Sequence, residues 1–207
     1  MSTPPLIHVV DDDESLRTAL LRLLREAGFE VRGHASPRAL LLDPLPDRPG
    51  CVLLDLRLPG PSGLDLQAAL RRRGAAPPVV FLTGHGDVAT TAQAMKAGAV
   101  DVLTKPVERE DLFDAIRRAL ERNARQRAAH DDAERLQSCF AALTAREREI
   151  VDLVVSGMPN REVARRLGIA ERTVKLHRAT AMDKLGAGSA AELGRLAERL
   201  RRLSDAE

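Results

Sequence analysis

Leu6-Ile7-His8-Val9-Val10, which runs into Asp11-Asp12-Asp13-Glu14, and Cys51-Val52-Leu53-Leu54, which runs into Asp55, are the stretches that decide the fold. Each is a short, mainly apolar run ending abruptly in acid. A strand buried on both faces of a parallel sheet reads this way when it reaches the sheet edge. Val79–Leu82 and Val100–Leu103 repeat the pattern, and Val31–His34 is a weaker fifth. Between these runs the spacing becomes helical: Glu14–Ala27 closed by Gly28, Ser36–Leu42 stopped by Pro44 and Pro46, Gly63–Arg73, Asp87–Ala97 closed by Gly98, and a helix from Arg109 onward. Five strands alternating with five helices predict an α/β domain with a five-stranded parallel sheet covered on both faces. Ligands of such a sheet sit at the carboxyl ends of its strands, near a topological switch point.

The chain has 207 residues, 44% of them hydrophobic and 30% charged, which suits one large or two small domains and excludes a disordered tail. No stretch approaches the ~20 apolar residues of a membrane span, and the N-terminus lacks the charged and apolar regions of a secretion signal, so a soluble, cytoplasmic protein with no membrane partner is expected. Cys51 and Cys139 have no metal-site spacing and read as packing thiols.

The net charge of +2 is unevenly spread: residues 1–121 carry 15 basic and 17 acidic side chains, 122–139 carry 4 and 3, and 140–207 carry 13 and 10. An acidic module joined to a nucleic-acid module would give such a gradient, as would many ordinary surfaces. We divide the chain into a domain at 1–121, a linker at 122–139 and a second domain at 140–207. The linker is polar and free of Gly and Pro, so the fifth helix can extend through it, as a stiff rod or a frayed one.

Beyond the linker the pattern is all helical. Thr144 and Glu147 form a capping box for Ala145–Val155, and Gly157-Met-Pro159 breaks the chain. Asn160 is placed to cap Arg161–Leu167, Gly168 ends that helix, Glu171–Leu185 follows, and Ser189 caps a last helix to about Leu203. Helix, short Gly-containing turn and helix make a helix-turn-helix.

The chemistry of the first domain gathers at the strand ends. Asp11, Asp12 and Asp13 follow the first strand, Asp55 the third, Thr83 the fourth and Lys105 the fifth. Asp13 or Asp101 alone reads as a helix cap or a solvated turn. Carboxylates from two strands repel one another unless a cation is present, and Mg2+ suits carboxylates, a carbonyl and waters with a phosphate completing the shell. Asp55, before the Pro59-Gly60-Pro61 turn, is placed to act as a nucleophile forming an acyl phosphate, with Thr83 hydrogen-bonding a phosphoryl oxygen and Lys105 balancing its charge.

Val9-Val10-Asp11-Asp12, Leu53-Leu54-Asp55-Leu56-Arg57-Leu58-Pro59-Gly60, Thr83-Gly84-His85-Gly86-Asp87 and Lys105-Pro106 resemble the receiver domain of two-component response regulators over about residues 5–121. The resemblance implies a flavodoxin-like, CheY-like fold, with Asp55 as phosphoacceptor, Asp11 and Asp12 as the Mg2+ pair and the Arg57 carbonyl as a backbone ligand. It also implies that the phosphohistidine of a sensor histidine kinase is the donor, and that the domain catalyses its own phosphorylation without turning over a free substrate. Arg57 and His85 occupy positions where the family tunes dephosphorylation. Many receivers carry an aromatic residue three positions before the lysine, to swing inward when the threonine moves; here that switch position is Val102.

In the second helix of the helix-turn-helix, Val174, Ala181 and Leu185 share one face, with His177 and Met182 at its margins. Arg172, Lys175, Leu176 and Ala179 lie opposite, where they can enter a major groove. Lys175 suits a guanine edge, and Leu176 and Ala179 a thymine methyl. Arg161, Arg165, Arg172 and Lys184 suit phosphates, as does Arg178, while His177 reads as structural. The alternative is a merely solvated basic face.

Leu143-Thr-Ala-Arg-Glu-Arg-Glu149, Gly157-Met-Pro-Asn160, Leu167-Gly-Ile169, Arg172-Thr-Val-Lys-Leu-His-Arg178 and Met182-Asp-Lys-Leu-Gly186 are similar to LuxR-type DNA-binding domains over about residues 140–204. Ala170 stands where a capping Ser is usual, a loss of about 1 kcal/mol.

The whole chain resembles a NarL/FixJ-family response regulator. That implies a transcription regulator binding double-stranded promoter DNA, with a homodimer formed on phosphorylation and RNA polymerase as a further partner. Phosphate on Asp55 is expected to alter the Asp87–Leu120 surface, release the helix-turn-helix and promote dimerisation. A phosphorylation-independent regulator, with the first domain serving only to dimerise, is the nearest alternative. An aspartyl-phosphate hydrolase is disfavoured because Arg57 stands where such enzymes place a second acid.

Overall fold

The computed structural model describes residues 4–46, 48–72, 77–84 and 88–204. The chain forms two compact units that divide between Ala128 and Ala129.

The first unit holds β1 (Leu6–Val10), α1 (Glu14–Glu26), β2 (Glu30–His34), α2 (Pro37–Leu42), β3 (Gly50–Asp55), α3 (Gly63–Arg71), β4 (Val79–Thr83), α4 (Val88–Lys96) and β5 (Asp101–Thr104). The helix α5 (Arg109–Ala141) runs on through the division. The strands are parallel, in the order β2-β1-β3-β4-β5. Every residue of β1, β3 and β4 is buried, which is why their sequences read as nearly continuous apolar runs. Alternate residues serve opposite faces. Ile7, Val9, Leu53, Val80 and Leu82 pack with Leu20 and Leu24 of α1 and Leu112 and Ile116 of α5. Val10, Val52, Leu54 and Phe81 pack with Leu40, Leu66, Leu70 and Ala94 of α2, α3 and α4. The chain reverses its direction of travel across the sheet between β1 and β3, so the switch point lies where Asp11 and Asp55 emerge.

The helix boundaries agree closely with the spacing. Asp13 caps α1, accepting from the Ser15 and Leu16 amides. The expected ends at Arg73 and Asp87 lie outside the described residues. Asp101 is corrected: it begins β5, accepts from the Val102 amide and ion-pairs with Arg118 of α5, so it is neither a cap nor a solvated turn. Cys51 is buried, and burial pushes its thiol up to about 12. Cys139 is half-buried against the core around Leu136 and Phe140.

The second unit adds α6 (Ala145–Val155), α7 (Asn160–Leu167), α8 (Glu171–Leu185) and α9 (Ala190–Ser204). Leu136 and Phe140 of α5 pack with Val151, Ala181, Leu185 and Leu193, while Ile150, Val163 and Val174 form a second cluster. The Thr144–Glu147 capping box is present, and the Ser189 hydroxyl accepts from the Glu192 amide. Asn160 does not cap α7. Pro159 is the N-cap in extended conformation, its carbonyl accepting from Glu162 and Val163, and Asn160 is the first helical residue.

His8 and His34 are buried beneath α2, with Nδ1 of His8 3.0 Å from Nε2 of His34. Burial first, and then the neighbouring imidazole, pushes His8 down to about 4. Burial likewise lowers His34, against the opposing carboxylate of Asp43. A lowered folded-state pKa means that the unfolded chain takes up protons first as pH falls, so these imidazoles weaken the fold below their ordinary value of 6.5. Their contribution to stability is therefore expected to be level above that pH and to fall on the way to about 4. Urea melts of the metal-free protein across this range check it, and a His8→Gln variant should lose much of the slope.

Candidate functional site

The pocket at the carboxyl edge of the sheet is built from strand ends. Asp11 follows β1 directly and is fully buried, Asp12 beside it is exposed, and Asp55, the last residue of β3, is 8% exposed. One carboxylate oxygen from each of Asp11, Asp12 and Asp55 lies within 4.8 Å of the others. Lys105, one residue beyond β5, reaches across, its Nζ 2.7 Å from Asp11 Oδ2 and 2.5 Å from Asp55 Oδ2. Its amide donates to the Thr83 carbonyl, which joins the ends of β4 and β5. Burial alone would lower the Lys105 ammonium, but hydrogen bonds to Asp11 and Asp55, reinforced by their charge, raise it above its ordinary range. Three carboxylates against one ammonium leave two negative charges uncompensated, which fits a divalent cation held by oxygen ligands.

The backbone shapes the same pocket. The Arg57 amide donates to Asp55 Oδ1 at 2.9 Å and the Asp13 amide to Asp11 Oδ1 at 2.9 Å, so each carboxylate is oriented by the amide two residues on. Gly63 lets α3 start hard against the end of β3, where a Cβ would meet the Asp55 carbonyl at 2.5 Å and Phe81 at 2.9 Å. Thr83 is buried at the end of β4. Val102 pairs in register with Phe81 and is half-buried against the cluster containing Phe81 and Ala94, so a small aliphatic group fills the switch position. His85, Gly86 and Asp87 lie outside the described residues.

In the second unit Val174, Ala181 and Leu185 of α8 are buried, and His177 and Met182 are half-buried beside them. Arg172, Lys175, Leu176 and Ala179 are exposed on the other side, Leu176 at 66%. Arg161 and Arg165 of α7 are exposed as well. The Ala170 N-cap makes no side-chain hydrogen bond, and Gly168 ends α7 at φ 64° in the left-handed region.

Residues 7–117 match the family model of the response regulator receiver domain, and residues 141–197 match that of bacterial regulatory proteins of the LuxR family. Nodulation protein W of Bradyrhizobium diazoefficiens is 44% identical over 199 residues, spanning 96% of this chain and 88% of that protein. The chain belongs to the NarL/FixJ family of response regulators. The transcriptional regulatory protein FixJ of Rhizobium meliloti is 40% identical, over 92% of this regulator and 94% of its own length. Among solved structures, the response regulator StyR matches with a TM-score of 0.82 and 44% identity, over 95% of this chain and 100% of that one. Full-length FixJ from B. japonicum matches at 0.57 and 36%, over 97% and 99%. This response regulator thus joins a receiver to a LuxR-type DNA-binding domain, and its relatives include named transcriptional regulators. No described helix is long and apolar enough to cross a membrane.

The receiver brings together Asp11, Asp12, Asp55 and Lys105, as spacing suggested. In the LuxR-type domain one DNA-contact assignment changes. Lys184 is turned onto its own domain, its Nζ 2.7 Å from the buried Glu147 Oε2 and 3.3 Å from the Ala142 carbonyl, and we reassign it from a phosphate contact to a structural one. The Lys184 hydrogen bond first, then the Thr144 backbone, holds the Glu147 carboxyl below the usual carboxylate range.

Arg178 donates to Asn160 Oδ1 at 3.1 Å, which ties the start of α7 to α8 and fixes where its guanidinium lies. Sequence reading also missed Arg17, whose Nη1 donates to the Asp11 carbonyl at 2.6 Å and steadies the loop carrying the acids. Its position on α1 six residues after Asp11 gives no signal without the loop geometry.

Lys184→Met is expected to lower the melting temperature of the LuxR-type domain while leaving DNA affinity, measured well below the transition, unchanged. Calorimetry paired with a binding titration checks both.

Proposed function

We propose that Asp55 accepts a phosphoryl group from the phosphohistidine of a sensor histidine kinase. The convergence of Asp11, Asp12, Asp55 and Lys105 at one sheet edge carries this reading. A carboxylate oxygen of Asp55 attacks phosphorus, the P–N bond breaks as the P–O bond forms, and the donor imidazole leaves. Asp11, Asp12, Asp55 and the Arg57 carbonyl would hold Mg2+, which when bound neutralises phosphoryl charge. Lys105 keeps its ammonium beside the new phosphate, and Thr83 offers its hydroxyl to a phosphoryl oxygen. The receiver acts on itself and turns over no free substrate, and Arg57 rather than an acid stands two residues after Asp55, which disfavours a hydrolase.

We further propose that residues 1–121 act as the receiver, 122–139 as a linker and 140–207 as the DNA-binding module. Phosphorylation alters the Asp87–Leu120 surface and promotes a homodimer on paired promoter sites, with RNA polymerase as a downstream partner. Lys175, Leu176 and Ala179 face the bases, while Arg161, Arg165, Arg172 and Arg178 face phosphates. Val102 keeps the phosphorylation-independent reading open to test, because it lacks the ring that would swing inward.

Incubation with a small acyl phosphodonor and Mg2+ is expected to add one phosphoryl mass to the wild type and none to Asp55→Asn. Incorporation by Asp55→Asn would show that another residue is the acceptor.

On DNA, Lys175→Ala should lose roughly 1–3 kcal/mol of discrimination at one base pair. Arg161→Ala should weaken all sequences alike and reduce the salt slope by about 1. Titrations of matched and substituted sites at several salt concentrations separate the two.

A further inference from the structure

Outside the strand-end pocket, one other set of three metal-ligating side chains meets among the described residues: His8 on β1, His34 at the end of β2 and Asp43 at the C-cap of α2. We propose that these three form a site for a zinc-type transition-metal dication, separate from the hard-cation pocket at Asp55.

The ligand set is the first argument. Two imidazole nitrogens and a carboxylate oxygen, with a water completing the shell, suit Zn2+ and its neighbours and suit Mg2+ poorly. The geometry is the second. His34 Nε2 lies 3.0 Å from His8 Nδ1 and 3.8 Å from Asp43 Oδ2. Metal–ligand bonds of about 2.0–2.1 Å at tetrahedral angles put ligand atoms roughly 3.3 Å apart, so the imidazoles sit near that spacing already. The ligand atoms fall within 4.8 Å of one another, and rotation of the Asp43 side chain supplies the remaining closure.

The surroundings are the third argument. His8 and His34 are 3% and 6% exposed on a sheet face otherwise lined by Val10, Val52 and Leu54. The His8–His34 hydrogen bond needs a hydrogen on one of its two facing nitrogens, so a metal takes both atoms once that hydrogen passes to the other nitrogen of its ring. Asp43 is 23% exposed and opens a path from solvent. Arg32 Nη1 donates to Asp43 Oδ1 at 3.0 Å and to Oδ2 at 3.2 Å, so a metal taking Oδ2 leaves Oδ1 to orient the carboxylate. A bound metal would staple β2 and the end of α2 to β1, the strand that delivers Asp11.

The test is a Co2+ titration of the tag-free full chain, with excess Mg2+ present to occupy the acidic pocket. One saturable equivalent is expected, with the visible absorption of tetrahedral Co2+ and displacement by Zn2+. In the zinc-loaded protein the imidazole resonances of His8 and His34 should shift while those of His130 and His177 stay in place. His34→Gln and Asp43→Asn should each lose the saturable step. No saturable step in the wild type, binding retained by both variants, or imidazole shifts confined to other histidines would overturn the site. Should either variant fail to fold, the wild-type resonances decide alone.

Discussion

Lys105 Nζ lies 2.5 Å from Asp55 Oδ2 and 2.7 Å from Asp11 Oδ2, and the functional edge of the receiver is arranged around that ammonium. Carboxylates delivered by neighbouring parallel strands must stand close together, because strand spacing is fixed by the ladder of hydrogen bonds. Left alone they would repel. A lysine one residue past β5 reaches back across β4 and balances part of that charge, and it is held there through its amide on the Thr83 carbonyl. The acids left uncompensated make the pocket suited to a divalent cation held by oxygen ligands.

The sheet could be read from the sequence because its central strands are buried on both faces, so β1, β3 and β4 carry no polar residue to break the apolar run except His8 and the terminal Asp55 and Thr83. Asp55 and Thr83 were informative: a polar residue at a strand end in such a run is there for a ligand or a partner. The acids and the lysine of the pocket were legible for the same reason. Contacts that depend on how loops and helices return to the sheet were not. Arg17 on the Asp11 carbonyl, Arg118 on Asp101 and the His8–His34 pair join residues whose separation in sequence has no characteristic period.

The LuxR-type domain shows the same division. Helical spacing separated the buried Val174, Ala181 and Leu185 from the exposed Lys175, Leu176 and Ala179, because on an isolated amphipathic helix one stripe must be covered. It did not separate a cation on the exposed face from one turned onto a buried partner inside the domain. Lys184 is positioned on α8 much like a DNA-facing residue, yet its partner Glu147 is the N3 residue of the α6 capping box, where a carboxylate already has a structural task. Asn160 was misread similarly: Pro159, with its fixed φ, takes the cap position and releases the amide side chain to hold Arg178.

Central to this arrangement is Lys105 sharing the carboxylates with an incoming cation. The most direct test is the Mg2+ affinity of the wild type against Lys105→Met, measured at constant ionic strength without phosphodonor. If the ammonium competes for the charge of Asp11 and Asp55, removing it must tighten Mg2+ binding. Equal or weaker binding by Lys105→Met would contradict the account.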